Sequence, residues 1–450
     1  MTKKIGLLST IAILLSCGLY FHFGYTIIRE DFLQLFGSYV ALFLFFLFLI
    51  KQNLDFKTYT IIGILFRAVF LFSIPILSQD FYRFIWDGRM ILNGFNPYLY
   101  LPENYLTPDY IVPDQAAELY AGMGKLNASH YTNYPPLNQL CFLIAALFSK
   151  HSIIGSVIVF RVILILADIG VYYYGRKLLE KLQLNPKAIL LYFLNPFIIL
   201  ELTGNLHFEG LMIFFLVYAL YLLQQKKWIL AALLIGCSIS LKLIPLLFLP
   251  LFFQQFKLKK LIGFYSIVIG TVIVSIIPFI SEVFIANYSR TVGLWFGQFE
   301  FNGSLHNIAK VIDHRITGYN SIKSYIIKVT PLLVVIVTLL ITFFRKNKTK
   351  SQLITAMLLT FGFYLATSTT VHPWYLSMLL VLCLFTPYRF PLVWTFTIML
   401  TYETYSNPFF QENFWLLGIE YTIAYGYFIW EFVMLKRKPN SAWFRLPLSS

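Results

Sequence analysis

The chain reads as an all-α polytopic membrane protein, a bundle of about fourteen transmembrane helices with one long polar loop. Three observations lead there. Of its 450 residues 58 % are hydrophobic and only 12 % charged, and the mean hydropathy is +0.72, far above the globular norm, so most apolar surface must face lipid. The apolar residues fall in runs long enough to cross a bilayer. The basic residues sit in short clusters between those runs, as they do where positive loops fix topology. The net charge of +15 therefore reports orientation, and nucleic acid is excluded as a partner.

In order, the runs expected to span are Ile5 to Phe21, Leu33 to Ile50, Tyr59 to Leu77, Ile153 to Tyr174 and Ala188 to Leu202. Next come Phe208 to Leu223, Trp228 to Leu241, Ile244 to Phe256, Leu261 to Ile280 and Tyr325 to Phe344. The last four are Leu353 to Thr370, Trp374 to Pro387, Pro391 to Thr401 and Phe414 to Leu435, several of them short for a perpendicular span. Lys3-Lys4 ahead of the first run reads as the start of an uncleaved span, although Leu14-Leu-Ser-Cys17 faintly resembles a lipoprotein cleavage site. With the N-terminus cytoplasmic, Lys51 and Lys57, Arg176 to Lys187, Lys226-Lys227, Lys257 to Lys260, Arg345 to Lys350, Arg389 and Lys436 to Lys438 share the inner side. This parity needs two choices: the helix beginning at Pro135-Pro-Leu-Asn is interfacial or re-entrant, and Lys242 marks the outer tip of a hairpin.

The outer side then collects the loops 78–151 and 281–324, the Gly204-Asn-Leu-His207 junction, Lys242 and Val371-His-Pro-Trp-Tyr375, within a single integral membrane domain. Cys17, Cys141, Cys237 and Cys383 lie inside apolar runs without paired or metal-type spacing, so they are expected to be core residues. No phosphate-binding glycine motif and no soluble domain able to hold a nucleotide are present, so an activated substrate should arrive through the lipid.

The densest polar text is Ser78-Gln-Asp-Phe-Tyr-Arg-Phe-Ile-Trp-Asp-Gly-Arg89, continuing through Asn93-Gly-Phe-Asn-Pro-Tyr98. As a helix from Asp80 to Asn93 it puts Asp80, Arg83 and Asp87 on one face, offered to water, and Phe81, Phe84, Ile85 and Leu92 on the other. Gly94 and Asn96-Pro97 stop it. Asp80 has two readings, a catalytic base or a cap shared with Ser78 for the helix N-terminus. Asp87 either orients Arg83 or Arg89 or offers its carboxylate to substrate hydroxyls, or it forms an i, i+4 ion pair with Arg83. Arg89 and Lys242 are candidate phosphate ligands; an ammonium among Leu241, Leu243 and Ile244 is costly unless it snorkels or meets an anion. His372, ahead of Pro373, sits at a helix start, as a site residue or as part of an aromatic belt with Trp374 and Tyr375. Glu201 closes an apolar run, and its expected role is support of Lys242 or Arg89. His207 and Glu209 hint at a metal, but i and i+2 do not share a helix face, and no metal is expected. The aromatic stretch Trp295 to His306 either stacks on a bound substrate or anchors the loop.

The block Asp80-x-Tyr-Arg-x-x-Trp-Asp-Gly-Arg89 with Gly94-Phe-Asn-Pro-Tyr98, followed by Tyr134-Pro-Pro-Leu-Asn-Gln139, resembles the first external loop of GT-C fold glycosyltransferases. Within that fold the chain most resembles bacterial mannosyltransferases that use polyprenyl-phosphate mannose. Glu201-Leu-Thr-Gly-Asn-Leu-His-Phe-Glu-Gly-Leu-Met212, Ser240-Leu-Lys-Leu-Ile-Pro245 and Val371-His-Pro-Trp-Tyr-Leu376 agree in the same order. One departure is that His207-Phe-Glu209 stands where the family often reads His-Asn-Asp.

The resemblance implies an inverting transfer of a hexose, mannose by analogy, from a polyprenyl-phosphate donor to an acceptor hydroxyl. It implies that this happens on the outer face of the bacterial cytoplasmic membrane, with a glycan or glycolipid acceptor, membrane lipids as surroundings and no cofactor beyond the lipid-linked donor. Asp80 would be the base; Lys242, His372 and Arg89 would hold the departing phosphate; Arg83, Asp87, Glu201, His207, Glu209, Tyr134, Trp374 and Tyr375 would support them. A flippase for lipid-linked oligosaccharides, or a polysaccharide polymerase or ligase, would share the hydrophobic architecture; against the flippase, no inverted repeat is apparent and the charges gather on one face.

Overall fold

The computed structural model describes residues 5–105, 113–297, 299–318 and 322–437. Among them the protein is helical throughout, and the one β pairing is the isolated bridge between Phe301 and Thr370. Seven helices lead to and around the polar block: α1 Leu7–Tyr25, α2 Phe32–Ile50, α3 Phe56–Ala68, α4 Asp80–Leu92, α5 Ala116–Ala128, α6 Pro136–Phe148 and α7 Ile153–Lys181. Their starts are dictated locally. The Asp31, Asp55 and Ser152 side chains accept the amide N–H of Gln34, Thr58 and Gly155, so each satisfies an N-terminal donor with no partner inside its helix.

Among the described residues four helices are long and apolar enough to cross a membrane: Leu7–Tyr25, Phe32–Ile50, Ile153–Lys181 and Leu258–Phe279. A fifth candidate is the pair Pro186–Phe193 and Pro196–Gly204, bent by 49° where Asn195-Pro196 interrupts the helix. With the shorter apolar helices these make a multi-pass helical membrane bundle. Leu33, Phe148, Phe344 and Trp415 are each at least 80 % exposed, a cost in water and none in lipid.

Several expected spans take a different shape. The third ends as an α-helix at Ala68, and residues 69–79 turn toward α4. Ile244–Gln255 is a 3-10 helix, because Pro245 and Pro250 withhold the amides an α-helix needs. Glu201 falls in a π-helical turn, Ile199–Gly204, a widening that proteins often place at functional sites. The four cysteines are unpaired, with Cys141 and Cys383 fully buried.

Two buried arginines of the bundle are matched in different ways. Arg67 on α3 pairs with Asp168 on α7 at 2.8 Å, both fully buried, and the Tyr192 hydroxyl donates to the second Asp168 oxygen at 2.8 Å. Among the described residues Arg161 has no carboxylate at hand; its guanidinium donates instead to the carbonyls of Leu71, Ser73, Thr203 and Gly204. It thereby ties the 69–79 turn, which feeds α4, to the turn that feeds the helix Glu209–Gln224.

Candidate active site

α4 begins at Asp80 and packs on α6 so closely that a Cβ at Gly88 would lie 2.2 Å from the Phe142 carbonyl oxygen. The glycine of the Trp-Asp-Gly-Arg sequence is thus a packing requirement. Phe84 stacks on Phe142 with centroids 4.7 Å apart, and Phe160 and Phe208 meet both rings edge-on. This aromatic block fixes the α4 backbone that carries the polar side chains.

The expected water-facing stripe of α4 is covered. Arg83 and Asp87 are buried, 2.7 Å apart, in the ion pair their spacing predicts. Arg83 also donates to the Asn127 and His130 carbonyls, and Gln139 donates to Asp87 at 3.0 Å. The hydrophobic face holds as expected for Phe81, Phe84 and Ile85, with Leu92 half-buried. Of the capping reading only the Ser78 half forms: Ser78 Oγ accepts the Asp80 amide N–H, Gln79 is the N-cap, and the Asp80 carboxylate is hydrogen-bonded by the Tyr134 hydroxyl.

Asp80, Arg83, Tyr134, Lys242, His372, Trp374 and Tyr375 all line one cavity of about 370 Å³. The remaining predicted residues stand behind it, with one exception. Glu209, fully buried at the first turn of its helix, pairs with Lys242 at 3.1 Å. The Lys242 ammonium lies 5.1 Å from the Tyr134 ring centroid. Its turn is held by α6, where the Leu137 amide donates to the Ser240 carbonyl and Asn138 Nδ2 to the Leu241 carbonyl at 2.7 Å. The Tyr-Pro-Pro-Leu-Asn segment therefore supplies one lining ring and the clamp for the lysine. His207 stacks on Trp374 at 3.7 Å, and His372 stacks on the same indole at 4.4 Å, so Trp374 lies between two imidazoles.

Two expectations need correction. Glu201 meets neither Lys242 nor Arg89: it accepts from the Tyr402 hydroxyl at 2.7 Å and lies 3.8 Å from His207 Nε2. The carboxylate for Lys242 is Glu209, eight residues further along, at the first position of the helix Glu209–Gln224. Arg89 does not reach the cavity. Nine residues after Asp80 at about 100° each, it points to the opposite side of α4. There it is buried, donating to the Asp114 carbonyl and to Gln115 Oε1 at 3.1 Å.

Burial pushes the Asp80 carboxyl above the ordinary aspartate range, against the opposing pull of Lys242 and the Tyr134 hydrogen bond. Burial and the nearby Lys242 hold the His372 imidazole down to about 3, so it is neutral at physiological pH. Among the described residues no three His, Cys, Asp or Glu side chains gather in a metal-binding group. Of the aromatic stretch Trp295 to His306, residues 295–298 lie outside the described side chains; Phe299 and Phe301 stack near His372 at 5.8 and 5.2 Å.

Two cavity residues carry no motif signal. Arg29, between α1 and α2, lines the cavity wall with its guanidinium 4.1 Å from the Tyr405 ring centroid. A signal for Arg29 did exist: on the expected topology it is a cation in an outer loop, against the inward bias of the other basic clusters. Tyr405 sits in a 3-10 stretch, Ile398–Ser406, among many tyrosines, and nothing in the sequence marks it.

A sequence model of the family described as alpha-(1->6)-mannopyranosyltransferase, N-terminal domain, matches residues 8–256. The chain belongs to this family. Alpha-(1->6)-mannopyranosyltransferase A of Corynebacterium glutamicum is 26 % identical over 190 residues, 40 % of this chain and 35 % of that protein. Alpha-(1->6)-mannopyranosyltransferase B of the same organism is 24 % identical over 156 residues, 34 % of this chain and 25 % of that protein. The chain thus spans about a third or less of the curated relatives it matches. The family match contains Arg29, Asp80, Tyr134, Glu209 and Lys242, while His372, Trp374 and Tyr375 lie beyond it.

Proposed function

We propose that the protein is a mannosyltransferase that takes its sugar from a polyprenyl-phosphate donor, with Asp80 as the base of a single inverting displacement. The observation that carries the donor class is the continuity between the polar cavity and an apolar groove. The groove, about 500 Å³, runs between the Ile244–Gln255 segment and the helices Ile322–Phe344 and Lys350–Thr367. A small cavity of about 80 Å³ joins the two, sharing Tyr134, Lys242 and Tyr375 with the polar site and Leu243, Ile244 and Tyr364 with the groove. Leu246, Val335 and Leu339 on its flanks remain exposed, so it opens on the lipid-facing surface. An isoprenoid chain fits that lining, with its phosphate at the joint beside Lys242.

In this reading the acceptor hydroxyl approaches Asp80, whose raised proton affinity suits it to take the proton near neutral pH. The acceptor oxygen bonds to the anomeric carbon as the bond from that carbon to the phosphate oxygen breaks, and the electron pair leaves with the polyprenyl phosphate. Lys242 offsets the growing phosphate charge, and the neutral His372, held flat on Trp374, offers a hydrogen bond. Glu209 keeps the ammonium in place between turnovers. The acceptor is a glycan or glycolipid reaching the site from the outer face of the cytoplasmic membrane, the side on which the basic clusters are scarce.

The test is to offer purified protein in lipid nanodiscs labelled mannose on a synthetic polyprenyl phosphate or on a nucleotide diphosphate, with a membrane-extract acceptor. Transfer from the lipid donor alone is expected. Transfer from the nucleotide donor, with none from the lipid, would overturn the donor assignment.

A further inference from the structure

Three cations line the polar cavity among the described residues, and two are already neutralised: Arg83 by Asp87 at 2.7 Å and Lys242 by Glu209 at 3.1 Å. The third, Arg29, has no carboxylate in ion-pair range among the described residues, and its buried Nε has no hydrogen-bond partner there. Its guanidinium is held in place by the Tyr405 ring, 4.1 Å from the centroid. Tyr405 is packed in turn by Phe410 at 5.1 Å and Phe301 at 6.4 Å, and Phe301 stacks on His372 at 5.2 Å. Arg29 is therefore joined to His372 through the rings of Tyr405 and Phe301, on the same cavity.

A volume of about 370 Å³ equals a sphere about 9 Å across, so a group at its centre is in reach of every wall. The Asp80 carboxylate adds a negative charge, so the lined cavity with its paired carboxylates is net negative without Arg29 and neutral with it. A departing phosphate monoester brings up to two negative charges, more than Lys242, shared with Glu209, offsets alone.

We propose that Arg29 is a second phosphate ligand of this site, binding the phosphate that the transfer leaves on the polyprenyl chain. This rests on the donor reading above. A guanidinium fork matches two phosphate oxygens at once, geometry an ammonium cannot provide. The charge movement also suits it. Asp80 becomes neutral when it takes the acceptor proton while the carbon–oxygen electron pair passes to the phosphate, so negative charge leaves one wall of the cavity and develops between Lys242 and Arg29.

The experiment measures equilibrium binding of polyprenyl monophosphate, and of the uncharged polyprenol, to the full chain in nanodiscs. Wild type, Arg29→Gln, Arg29→Lys and the exposed-neighbour control Glu30→Gln are compared, with mannosyl transfer followed in the same preparations. Arg29→Gln is expected to weaken monophosphate binding at least tenfold, Arg29→Lys less, and Glu30→Gln not at all, with polyprenol binding unchanged in all four. Equal monophosphate binding by wild type and Arg29→Gln overturns the proposal. An effect confined to the KM for acceptor overturns it too, since the anion then belongs to the acceptor. If wild type binds monophosphate no better than polyprenol yet transfers mannose from the lipid donor, this subsite falls while the donor reading stands. Absence of both binding and transfer brings down the donor reading and the subsite with it.

Discussion

Replacing Lys242 with methionine separates what the lysine does for the fold from what it does for the reaction. Glu209 is fully buried, and among the described residues neither of its oxygens has a hydrogen-bond partner, so the ammonium 3.1 Å away is its compensation. At that distance and an effective dielectric of about 20 the attraction is about 5 kcal/mol. Part of this offsets the desolvation of the pair, and removing one partner of a buried pair typically costs about 3–5 kcal/mol. The Lys242 side chain keeps 20 % exposure, so we expect the lower end, about 3 kcal/mol for Lys242→Met. Glu209→Gln should cost less, because the orphaned ammonium still touches the cavity's water while the orphaned carboxylate touches none. The double variant, with no charge left to strand, should unfold within about 1 kcal/mol of wild type. A thiol-reactive dye reports this directly, since Cys141 and Cys383 are buried and free; Cys17 and Cys237, which are half-buried, are replaced by alanine first. Lys242→Met should lower the apparent midpoint by roughly 3–6 °C, and the double variant should recover most of it while remaining inactive. Equal midpoints for the single and double lysine variants would refute the pairing as the source of the instability.

Three other outcomes follow from the same geometry. Because burial raises the Asp80 carboxyl, kcat/KM should be flat where Asp80 is ionised and fall as pH drops through that raised pKa, with an acid limb above the ordinary aspartate range. Tyr134→Phe removes a hydrogen bond that favours the carboxylate, so it should move the limb further up; a limb unmoved or moved down in the pH profile would contradict the assignment. Asp168→Asn strands the fully buried Arg67 and should destabilise by about 3–5 kcal/mol, with Arg67→Met added in the same chain recovering part of it, as read by the dye midpoint. Arg161→Met leaves the carbonyls of Leu71, Ser73, Thr203 and Gly204 without their donor, and should loosen the two turns that carry Asp80 and Glu209. Faster hydrogen exchange in those turns, ahead of global unfolding, is the expected sign.

The sequence was most legible where one helix decides the outcome. The i, i+4 spacing of Arg83 and Asp87, the stop at Gly94 and the proline-started helix after Tyr134 all depend on neighbours in the chain, and each is present. The cavity could be anticipated as a set of motifs because Asp80, Tyr134, Lys242 and His372 are polar residues at apolar boundaries, where a charge without a purpose is costly. What stayed hidden is pairing between elements. The carboxylates Glu201 and Glu209 are eight residues apart, and only the π-helical turn and the bend near Asn195-Pro196 decide which of them meets the lysine. The burial of Arg83 and Asp87 has the same origin, since α5 and α6 cover a face of α4 that reads as amphipathic and exposed. Arg89 is different. Its place on the far side of α4 follows from helical geometry alone, and membership of a charged block was a poorer guide than the angle.

The central claim is that Asp80 is the base of a lipid-linked mannosyl transfer. It is tested most directly by comparing wild type with Asp80→Asn in nanodiscs, matched for dye midpoint and for polyprenyl monophosphate binding, in transfer of labelled mannose from polyprenyl-phosphate mannose. Asp80→Asn is expected to bind the lipid phosphate normally and to transfer at least about a thousandfold more slowly, while wild type gives a product whose anomeric configuration is opposite to that of the donor. An Asp80→Asn protein that transfers at the wild-type rate, or a wild-type product that keeps the donor's configuration, would contradict it.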